Sequence, residues 1–524
     1  MDEHGHGRRL AWSTAIFSLA TGLSRVLGLF REIVARRYFG VEGPINAFTV
    51  AFQVPNLVRA LIADAALSSA FVPVFSELLE KGERARAWRV ASTLFWLLLL
   101  GLSAVTALFM LLAPLLIRPF ALPEGYEGLA VTLSRILFPI VALLGVSGIV
   151  VGILNSYEHF SVPALTPVFW NLAIIVGLVV GVPQADSADT KLYVYAGSIL
   201  VGTVIQVLLP LPWLRGRDDR LRVLIDWRDP AVKQTFVLMV PVMLGLGLIN
   251  FNTLIGTFFA SRFIDPTISP SAIDAAFRIY MLPQGMFSVA VATVLFPSLA
   301  RLATRGDVDG FRRTVGVGVR QIAFLLVPAS AVSAALAEPI VRLLYQRGEF
   351  GPNETPVVAG ALAAFSLGLA FNGAMLMLNR AFFSLQSPWM PTAIALGNLA
   401  LNTGLYAVLY RVGTWGIPLA ISIANIVSVA ALMVALRRRL RRIEFGETAR
   451  ATFLIVLASA AMAGVSYLVW WGLDSALGRS TGEQLLSMSV ALSAGIATYL
   501  LACRALGVRE LQALLSLRNR FARG

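Results

Sequence analysis

The chain has little of what a soluble enzyme or a metalloprotein needs. Only 14% of its 524 residues are charged, and it holds one cysteine and three histidines. The single thiol, Cys503, excludes an internal disulfide, and His4, His6 and His159 lie too far apart in the sequence to suggest a metal site. The loops also lack a paired-carboxylate motif and a glycine-rich phosphate loop. We therefore predict that the protein is not an enzyme and carries no organic cofactor.

Apolar residues make up 57% of the chain instead, and its mean hydropathy is +0.76. A helix needs about 20 apolar residues to cross a bilayer, and about fourteen such segments can be delimited. The predicted fold class is therefore an all-α polytopic membrane protein. The segments lie near residues 12–38, 45–75, 90–117, 129–154, 162–182, 192–213, 236–260, 273–300, 321–341, 356–379, 390–410, 416–436, 451–472 and 484–506.

The formal net charge of +14 could indicate a nucleic-acid partner. The distribution of the basic residues along the chain instead indicates a membrane protein. An even number of spans places both termini on one side, and the loops on that side carry roughly three times as many Lys and Arg residues as the opposite loops. The positive-inside rule then places both termini in the cytoplasm, and we expect no nucleic-acid partner. Residues 215–222 read as a solvated basic loop on this side. The N-terminal residues lead into a long span, so no cleaved signal peptide is expected.

An internal repeat indicates two related halves. Residues 45–47 read Ile-Asn-Ala and 273–275 read Ile-Asp-Ala, and each triplet is followed by a proline, Pro55 or Pro283, at the same spacing. Both copies run in the same direction across the membrane, so the repeat is parallel. Two pseudo-symmetric six-helix halves with a binding site between them are a common transporter plan.

The predicted domain division follows from this repeat. The N-terminal half covers residues 1–233 and the C-terminal half covers residues 234–442. Residues 443–524 then supply two further helices and a tail. The tail, residues 508–521, is either an amphipathic helix on the cytoplasmic face or a frayed basic end.

Four arginines fall inside predicted spans: Arg25, Arg31, Arg59 and Arg278. At 1.5 Å per residue, Arg25 and Arg59 lie about 20 Å along their segments, near the middle of the bilayer. An arginine at that depth costs roughly 2.5–3.5 kcal/mol, so four of them cost on the order of 10 kcal/mol. Such a cost requires a compensating partner.

Two kinds of partner are open. One is internal pairing with nearby acids, namely Glu32, Asp64 and Asp274. The other is a hydrated cationic cavity that holds an anionic lipid head group. Three acids against four arginines leave the interior with a net positive charge, and the planar guanidinium fork binds two phosphate oxygens at once. The pattern therefore favours a pyrophosphate-bearing ligand. Gly22 and Gly28 beside Arg25 either let the first helix bend or allow close helix packing.

The residues at this point resemble a known family. Residues 24–32 (SRVLGLFRE) and 52–59 (FQVPNLVR) are similar to the signature of the MurJ (MviN) lipid II flippases. That family belongs to the multidrug/oligosaccharidyl-lipid/polysaccharide exporter superfamily. The resemblance covers nearly the whole chain, with further matches at residues 278, 282–283, 290–297, 344–350, 382–386 and 391.

The resemblance implies a function and a set of site residues. It implies that the chain moves lipid II, the undecaprenyl-pyrophosphate-linked peptidoglycan precursor, from the cytoplasmic to the periplasmic leaflet of the bacterial inner membrane. Alternating access is the implied mechanism, with the prenyl tail in a groove of the last two helices. It further implies that Arg25, Arg31, Arg59 and Arg278 bind the head group. Arg31, Glu32 and Arg278 would form an anion site, with chloride as the candidate ion.

Two departures from the family pattern concern asparagines. The family often has Asp where this chain has Asn46, so the conformational role of that acid does not carry over directly. Some members of the family look to have a sodium site on the seventh, eleventh and twelfth spans. The matching positions in this chain are Asn252, Asn398 and Asn402, together with Ser422. Asn398 and Asn402 share one helix face because they are four residues apart. Hard cations take oxygen ligands, but all three asparagines are neutral amides, so interhelical hydrogen bonding is the alternative to a sodium site.

Other functions predict other residues. A multidrug or cation antiporter of the same superfamily needs acids in its interior, whereas this interior is predicted to be basic. A flippase for another polyprenyl-linked saccharide would use the same arginines, because the pyrophosphate is shared. A polyprenyl-phosphate transferase would need a metal-binding cluster of acids at a membrane face. The ordered set of motifs favours lipid II.

Overall fold

The computed structural model describes residues 3–62, 65–387, 389–440 and 445–511, and the regular elements in these ranges are all helices. Contacts divide the chain into two compact units: Met1–Ser271 with Arg347–Glu349, and Ala272–Gln346 with Phe350–Gly524. The helices up to the end of the first unit's long segment are α1 Glu3–Phe39, α2 Ile45–Ile62, α3 Ala65–Glu80, α4 Arg84–Ile117, α5 Tyr126–Leu137, α6 Pro139–Ser156, α7 Ser161–Val176, α8 Ala188–Leu208 and α9 Pro230–Phe259.

The remaining helices continue in chain order to the end of the described residues. They are α10 Ser269–Pro283, α11 Val289–Thr304, α12 Val308–Ala335, α13 Ala337–Tyr345, α14 Glu354–Ser366, α15 Leu369–Ser384, α16 Trp389–Leu409, α17 Gly416–Leu440, α18 Phe445–Leu477 and α19 Thr481–Ala505. A π-helical turn, Gln284–Ser288, joins α10 to α11.

Ten helical stretches in the described residues are long and apolar enough to cross a membrane, or eleven if α14 and α15 form one span bent by 41°. The chain is therefore a multi-pass membrane protein. Helices α1, α2, α3 and α9 are not among these stretches. Two of them contain the arginines discussed above, Arg25 and Arg31 in α1 and Arg59 in α2, and these charges reduce the apolar character of the helices.

Several predicted spans contain a break in the helix at or next to a proline or glycine residue. The segment near 129–154 divides into α5 and α6 at Pro139, which occupies the first position of α6. The segment near 273–300 contains the π-helical turn directly after Pro283. The segment near 356–379 bends between α14 and α15, next to Gly368. A proline lacks the N–H that would continue the helical hydrogen bonds, so the breaks at Pro139 and Pro283 are expected.

The described part of the first unit contains two large apolar cores. In one, Phe71 and Phe75 of α3 are fully buried against Trp88 of α4 and the helix α6. A Cβ at Gly152 of α6 would lie 2.6 Å from Phe71, so this close approach requires glycine. The second core is formed by α2, α5 and α8, with Ala47 and Leu133 among its fully buried residues. The alternating small and large residues allow these helices to pack at native density.

The second unit packs α12 against α15 and α18, and α18 against α19. Ser480 and Glu483 form a capping box at the start of α19, with the Ser480 hydroxyl accepting from the Glu483 N–H and the Glu483 carboxylate accepting from the Ser480 N–H. At the other end of α19, Tyr499 donates to the carbonyl of Phe324 in α12 at 2.7 Å. Of the predicted tail, residues 508–511 are described and Val508 and Leu511 are buried; residues 512–521 lie outside the described ranges.

An ion pair between Arg86 and Asp229 connects α4 to the start of α9, where Asp229 is the N-cap residue. The Asp229 carboxylate accepts two hydrogen bonds from Arg86 of α4, at 2.9 and 3.0 Å, and one from the N–H of Ala231 at 2.9 Å. The Arg86 guanidinium, with a smaller contribution from the Ala231 N–H, holds the pKa of this carboxyl below its ordinary value. The carboxylate therefore both caps α9 and ties it to α4.

We predict that Asp229→Asn destabilises the protein by about 1–2 kcal/mol at pH 7, since it removes a charged N-cap and a bidentate ion pair. An acid whose folded pKa is lowered stabilises the fold fully above its unfolded pKa, about 3.9, and loses that contribution as the pH falls through the folded pKa. The difference from wild type should therefore shrink below pH 4 in thermal unfolding followed by circular dichroism. Asp226→Asn is the matched control, because Asp226 contacts Thr93 through its backbone N–H. An equal effect of the two variants would contradict the prediction.

Candidate functional site

Helix α1 concentrates the charged residues of the predicted site. Its periodicity places Arg25, Gly28, Glu32 and Arg36 on one face, while Arg31 points to a neighbouring face. Arg25 is exposed, Arg31 is half-buried, and Glu32 and Arg36 are buried. The helix therefore presents its cations in two directions.

Arg31 is held by two consecutive residues of α7. Its Nη1 donates to the side-chain oxygen of the buried Asn171 at 3.1 Å, and its guanidinium carbon lies 4.8 Å from the ring centroid of Trp170. Asn171 is oriented in turn, since its amide donates to the carbonyl of Pro167 at 2.9 Å. The Nε of Arg31 is buried and has no hydrogen-bond partner in the described part of the chain. These partners are neutral or aromatic, so they position the guanidinium without cancelling its charge.

Glu32 pairs with Arg36 rather than with Arg31 or Arg25, which argues against the alternative of internal pairing within residues 25–32. The carboxylate of Glu32 accepts a hydrogen bond from Arg36 Nε at 2.9 Å and forms an ion pair with Arg36 Nη2 at 2.7 Å, and both side chains are 6% exposed. Arg36 also donates to Ser271 Oγ at 2.5 Å. The reason is geometric: residues four apart meet on a helix surface, whereas adjacent residues point in different directions. Arg36 thereby neutralises the one acid of α1 that lies near the two inner arginines.

Arg25 and Arg31 consequently have no carboxylate partner within the described residues. Arg59 and Arg278 are different. Arg59 donates through Nη2 to the side-chain oxygen of Asn56 at 2.8 Å, one turn earlier in α2. Arg278 pairs with Asp274, one turn earlier in α10, at 3.2 Å. Asp64, the acid predicted near Arg59, lies outside the described ranges.

Asn46 is a hydrogen-bonding centre at the start of α2. Its amide nitrogen donates to the carbonyls of Val41, at 2.9 Å, of Gly43, at 3.2 Å, and of Thr267. Its amide oxygen accepts the N–H of Ser271 at 2.9 Å. The side chain is fully buried. An amide can satisfy both sets of groups, whereas a carboxylate has no N–H to donate.

The predicted glycines of α1 are not sites of tight packing. A Cβ at Gly28 would lie 3.8 Å from the side-chain oxygen of Asn171, an ordinary contact, and a Cβ at Gly22 would meet nothing within 4 Å. The close-approach glycine of this region is Gly348, where φ is +63° and a Cβ would lie 2.2 Å from the carbonyl oxygen of Arg37. The N–H of Glu349 donates to the same carbonyl at 2.9 Å.

The asparagines of the candidate sodium site are engaged with one another. Asn402 donates to the oxygen of Asn398 at 2.9 Å, and Asn398 donates to Ser428 Oγ at 2.7 Å. Ser422 donates to the carbonyl of Ala364 at 2.6 Å. The buried side-chain oxygen of Asn402 has no partner in the described ranges. Asn252 belongs to the other compact unit, in α9, and is half-buried.

Sequence reasoning missed three residues around the arginines: Arg36, Asn171 and Trp170. The signal for Arg36 was present, because it lies four residues after Glu32 on a continuous helix. Asn171 was visible as an isolated amide in an apolar segment, but its partner lies 140 residues earlier in the chain. Trp170 showed no sign of a charged neighbour in the sequence.

Comparison with known proteins gives a consistent result. The family model described as "Lipid II flippase MurJ" matches residues 35–483. A probable lipid II flippase MurJ from Vibrio cholerae is 31% identical over 96% of this chain and 97% of its own length. One from Rhizobium tropici is 31% identical over 85% of this chain and 84% of its own length.

Solved structures show the same fold. A structure described as lipid II flippase MurJ in an inward closed conformation has a TM-score of 0.78 at 24% identity, covering 94% of this chain and 99% of the other. An inward-facing multidrug resistance MATE family transporter of the MOP superfamily has a TM-score of 0.68 at 17% identity, covering 80% of this chain and 94% of the other. At these identities the structures establish likeness of fold alone.

We predict that Arg36→Met costs about 3–5 kcal/mol of stability, because it leaves the Glu32 carboxylate buried without its partner. The double variant Glu32→Gln/Arg36→Met should cost clearly less than Arg36→Met alone in thermal unfolding. Lys81→Met is the control, since it breaks an exposed pair of the same spacing, Glu77–Lys81, at a cost of less than about 1 kcal/mol. Equal losses of stability for Arg36→Met and Lys81→Met would show that the buried pair contributes no more to stability than the exposed one.

We also predict that Asn46→Asp destabilises this chain by about 1–3 kcal/mol at neutral pH, since a carboxylate would face three carbonyl oxygens without an N–H to donate. The readout is the midpoint of thermal unfolding. Asn353→Asp serves as the control, because Asn353 is exposed. A variant Asn46→Asp as stable as wild type would mean that the hydrogen bonds of the amide nitrogen are dispensable.

Proposed function

We propose that this chain, which belongs to the MurJ family, translocates lipid II from the cytoplasmic to the periplasmic leaflet of the bacterial inner membrane by alternating access. It acts as a transporter in peptidoglycan and cell-wall synthesis rather than as an enzyme. The family membership rests on the match over residues 35–483 and on identities of 31% to relatives of similar length. The arginines of α1 supply the physical argument for the substrate class.

The single observation that carries the substrate proposal is the charge state of α1. Arg25 and Arg31 lie on a helix between apolar residues, and the nearby carboxylate of Glu32 is taken by Arg36. Guanidinium groups at bilayer depth need water or an anion to offset the cost of leaving water. A pyrophosphate carries enough oxygens to accept from several guanidinium forks at once. Arg25, Arg31, Arg59 and Arg278 are therefore the residues that we assign to binding the lipid II head group.

A chloride ion is the proposed occupant of the anion site of Arg31, Glu32 and Arg278 when no substrate is bound. The buried Nε of Arg31, which lacks a partner in the described ranges, supports an anion there. Glu32 can lie beside a chloride in this proposal because the guanidinium of Arg36 balances its negative charge. A chloride would supply negative charge only, and the chain's own residues would orient the arginines.

The three asparagines proposed to bind sodium fit that ion less well than the arginines fit an anion. Asn398 is occupied on both sides of its amide, and Ser422 donates to a backbone carbonyl, which leaves the buried oxygen of Asn402 as the group that supports a cation. A sodium ion at Asn252, Asn398 and Asn402 stays a proposal that requires Asn398 to give up a hydrogen bond. Groups of three or more metal-binding acids, histidines or cysteines are lacking in the part of the chain that was described.

The topology we propose has about fourteen spans with both termini in the cytoplasm. Helices α1, α9 and the pair α2 and α3 would add three spans to the ten or eleven apolar stretches. The proposed halves cover residues 1–233 and 234–442, with residues 443–524 as two additional helices and a tail. The excess of Lys and Arg in the loops on the side of the termini supports the orientation. The last two helices are the proposed groove for the prenyl tail.

The test is transport of fluorescent lipid II into proteoliposomes by wild type and by Arg25→Ala, Arg31→Ala, Arg59→Ala and Arg278→Ala. Each loss should reduce transport on the order of tenfold or more, the scale of a lost charge-assisted contact of about 1.5–3 kcal/mol. Arg25→Lys should recover part of the loss, because it keeps the charge but not the fork. Arg135→Ala is the control, since Arg135 is exposed and donates to a backbone carbonyl.

Correct folding of each variant is checked by its thermal midpoint. Undiminished transport by the four alanine variants would remove the arginines as the head-group site. Failure of the wild-type chain to rescue a strain depleted of its lipid II flippase would remove the proposed substrate.

A further inference from the structure

The segment between α8 and α9, residues 209–229, lies along the first turns of α4. Trp96 of α4 donates through Nε1 to the carbonyl of Arg222 at 2.9 Å, and the N–H of Arg222 donates to Ser92 Oγ at 3.1 Å. The N–H of Asp226 donates to Thr93 Oγ1, on the residue that follows Ser92 in α4, at 3.0 Å. Together with the Arg86–Asp229 pair, these bonds hold residues 222–229 as a strip against the helix.

The depth of this strip in the membrane follows from the length of α4. A hydrocarbon core of about 30 Å takes about 20 helical residues. Counted back from the end of α4 at Ile117, about 20 residues reach Leu98. Ser92, Thr93 and Trp96 therefore lie in the head-group layer at the Arg84 end of the helix. A tryptophan at this depth is typical of membrane interfaces.

The outward side of the strip is apolar. Val223 is 83% exposed and Trp227 is 72% exposed, and Ile225 between them is also exposed. Leu224 is 39% exposed as well, so residues 223–225 and Trp227 present a row of large apolar side chains along the segment. A row of large apolar side chains in contact with water would be unfavourable, but at the boundary between head groups and acyl chains it is favourable.

The acids of the segment are mostly neutralised by pairs. Asp218 pairs with Arg84 of α4 at 2.7 Å and accepts from the hydroxyl of Tyr157 at 2.7 Å. Asp219 pairs with Arg222, and Asp229 with Arg86. The exposed arginines Arg215 and Arg228, on either side of the apolar row, form no ion pair in the described part of the chain. These two guanidinium groups are available to phosphate oxygens of the leaflet.

We propose that residues 213–228 form a binding surface for anionic phospholipid head groups in the leaflet at the Arg84 end of α4. Val223, Ile225 and Trp227 insert at the acyl boundary, and Arg215 and Arg228 bind phosphodiester oxygens. The surface is separate from the arginines of α1, α2 and α10 that are assigned to the transported head group. Membrane lipid is the one occupant, because the depth of α4 places lipid beside this row.

The insertion is tested by a single cysteine at position 223, Val223→Cys, labelled with the fluorophore NBD in a Cys503→Ala background. The protein is reconstituted in nanodiscs of phosphatidylcholine with and without phosphatidylglycerol. Emission should shift to the blue relative to the labelled control Glu80→Cys, at the exposed end of α3, and nitroxide lipids labelled near the head group should quench it. Emission and quenching equal to those at position 80 would overturn the proposal.

The head-group preference is tested by native mass spectrometry of the full chain with phosphatidylglycerol and phosphatidylcholine. Each basic residue near an anionic surface contributes roughly a factor of five, so Arg215→Gln/Arg228→Gln should lower phosphatidylglycerol retention up to about 25-fold. Phosphatidylcholine retention should not change. Arg305→Gln/Arg313→Gln removes the same charge from two exposed arginines at the start of α12 and is the control. Equal losses in the two double variants would show that retention follows net charge and would refute a site.

Discussion

The charge of α1 is the constraint on which the rest of the proposed site depends. A guanidinium in hydrocarbon is tolerated where a carboxylate, water or an anionic ligand offsets the lost hydration. In this helix the nearby carboxylate, Glu32, is paired with Arg36 through a hydrogen bond from Nε and an ion-pair contact with Nη2. Arg25 and Arg31 are thereby left to be offset by something that is not part of the described protein. This arrangement distinguishes a cation-lined binding helix from a set of internal salt bridges.

Neutral groups position these charges without cancelling them. Asn171 and Trp170 hold Arg31 through an amide oxygen and an aromatic face. An amide contributes one hydrogen bond and no formal charge, so the guanidinium keeps its attraction for an anion. Arg278 differs, because Asp274 lies one turn away and shares its charge. A ligand at Arg278 would compete with this carboxylate, and its binding there would be correspondingly weaker than at a guanidinium without an acid.

Part of this arrangement could be predicted from the sequence. The apolar segments and the four arginines within them were sufficient for the membrane class and for the choice of site residues, because span length and intramembrane charge are local properties. The sequence left the partner of Glu32 open, with Arg25 and Arg31 as candidates in the alternative of internal pairing. The structure gives Arg36 as its partner, because α1 continues to Phe39 and brings residue 36 over residue 32. The role of Asn171 could not be predicted, since it depends on the packing of α7 against α1.

The environment of the segment between α8 and α9 also could not be predicted from the sequence. Its arginines suggested a solvated loop, and net charge alone supports that interpretation. The structure adds the hydrogen bonds to Ser92, Thr93 and Trp96, which bring residues 222–226 beside a membrane-spanning helix. At that depth the exposed valine and tryptophan are no longer surplus apolar surface, and the arginines lie at the level of lipid phosphates. The same residues are thus consistent with two environments, and the packing against α4 decides in favour of the interface.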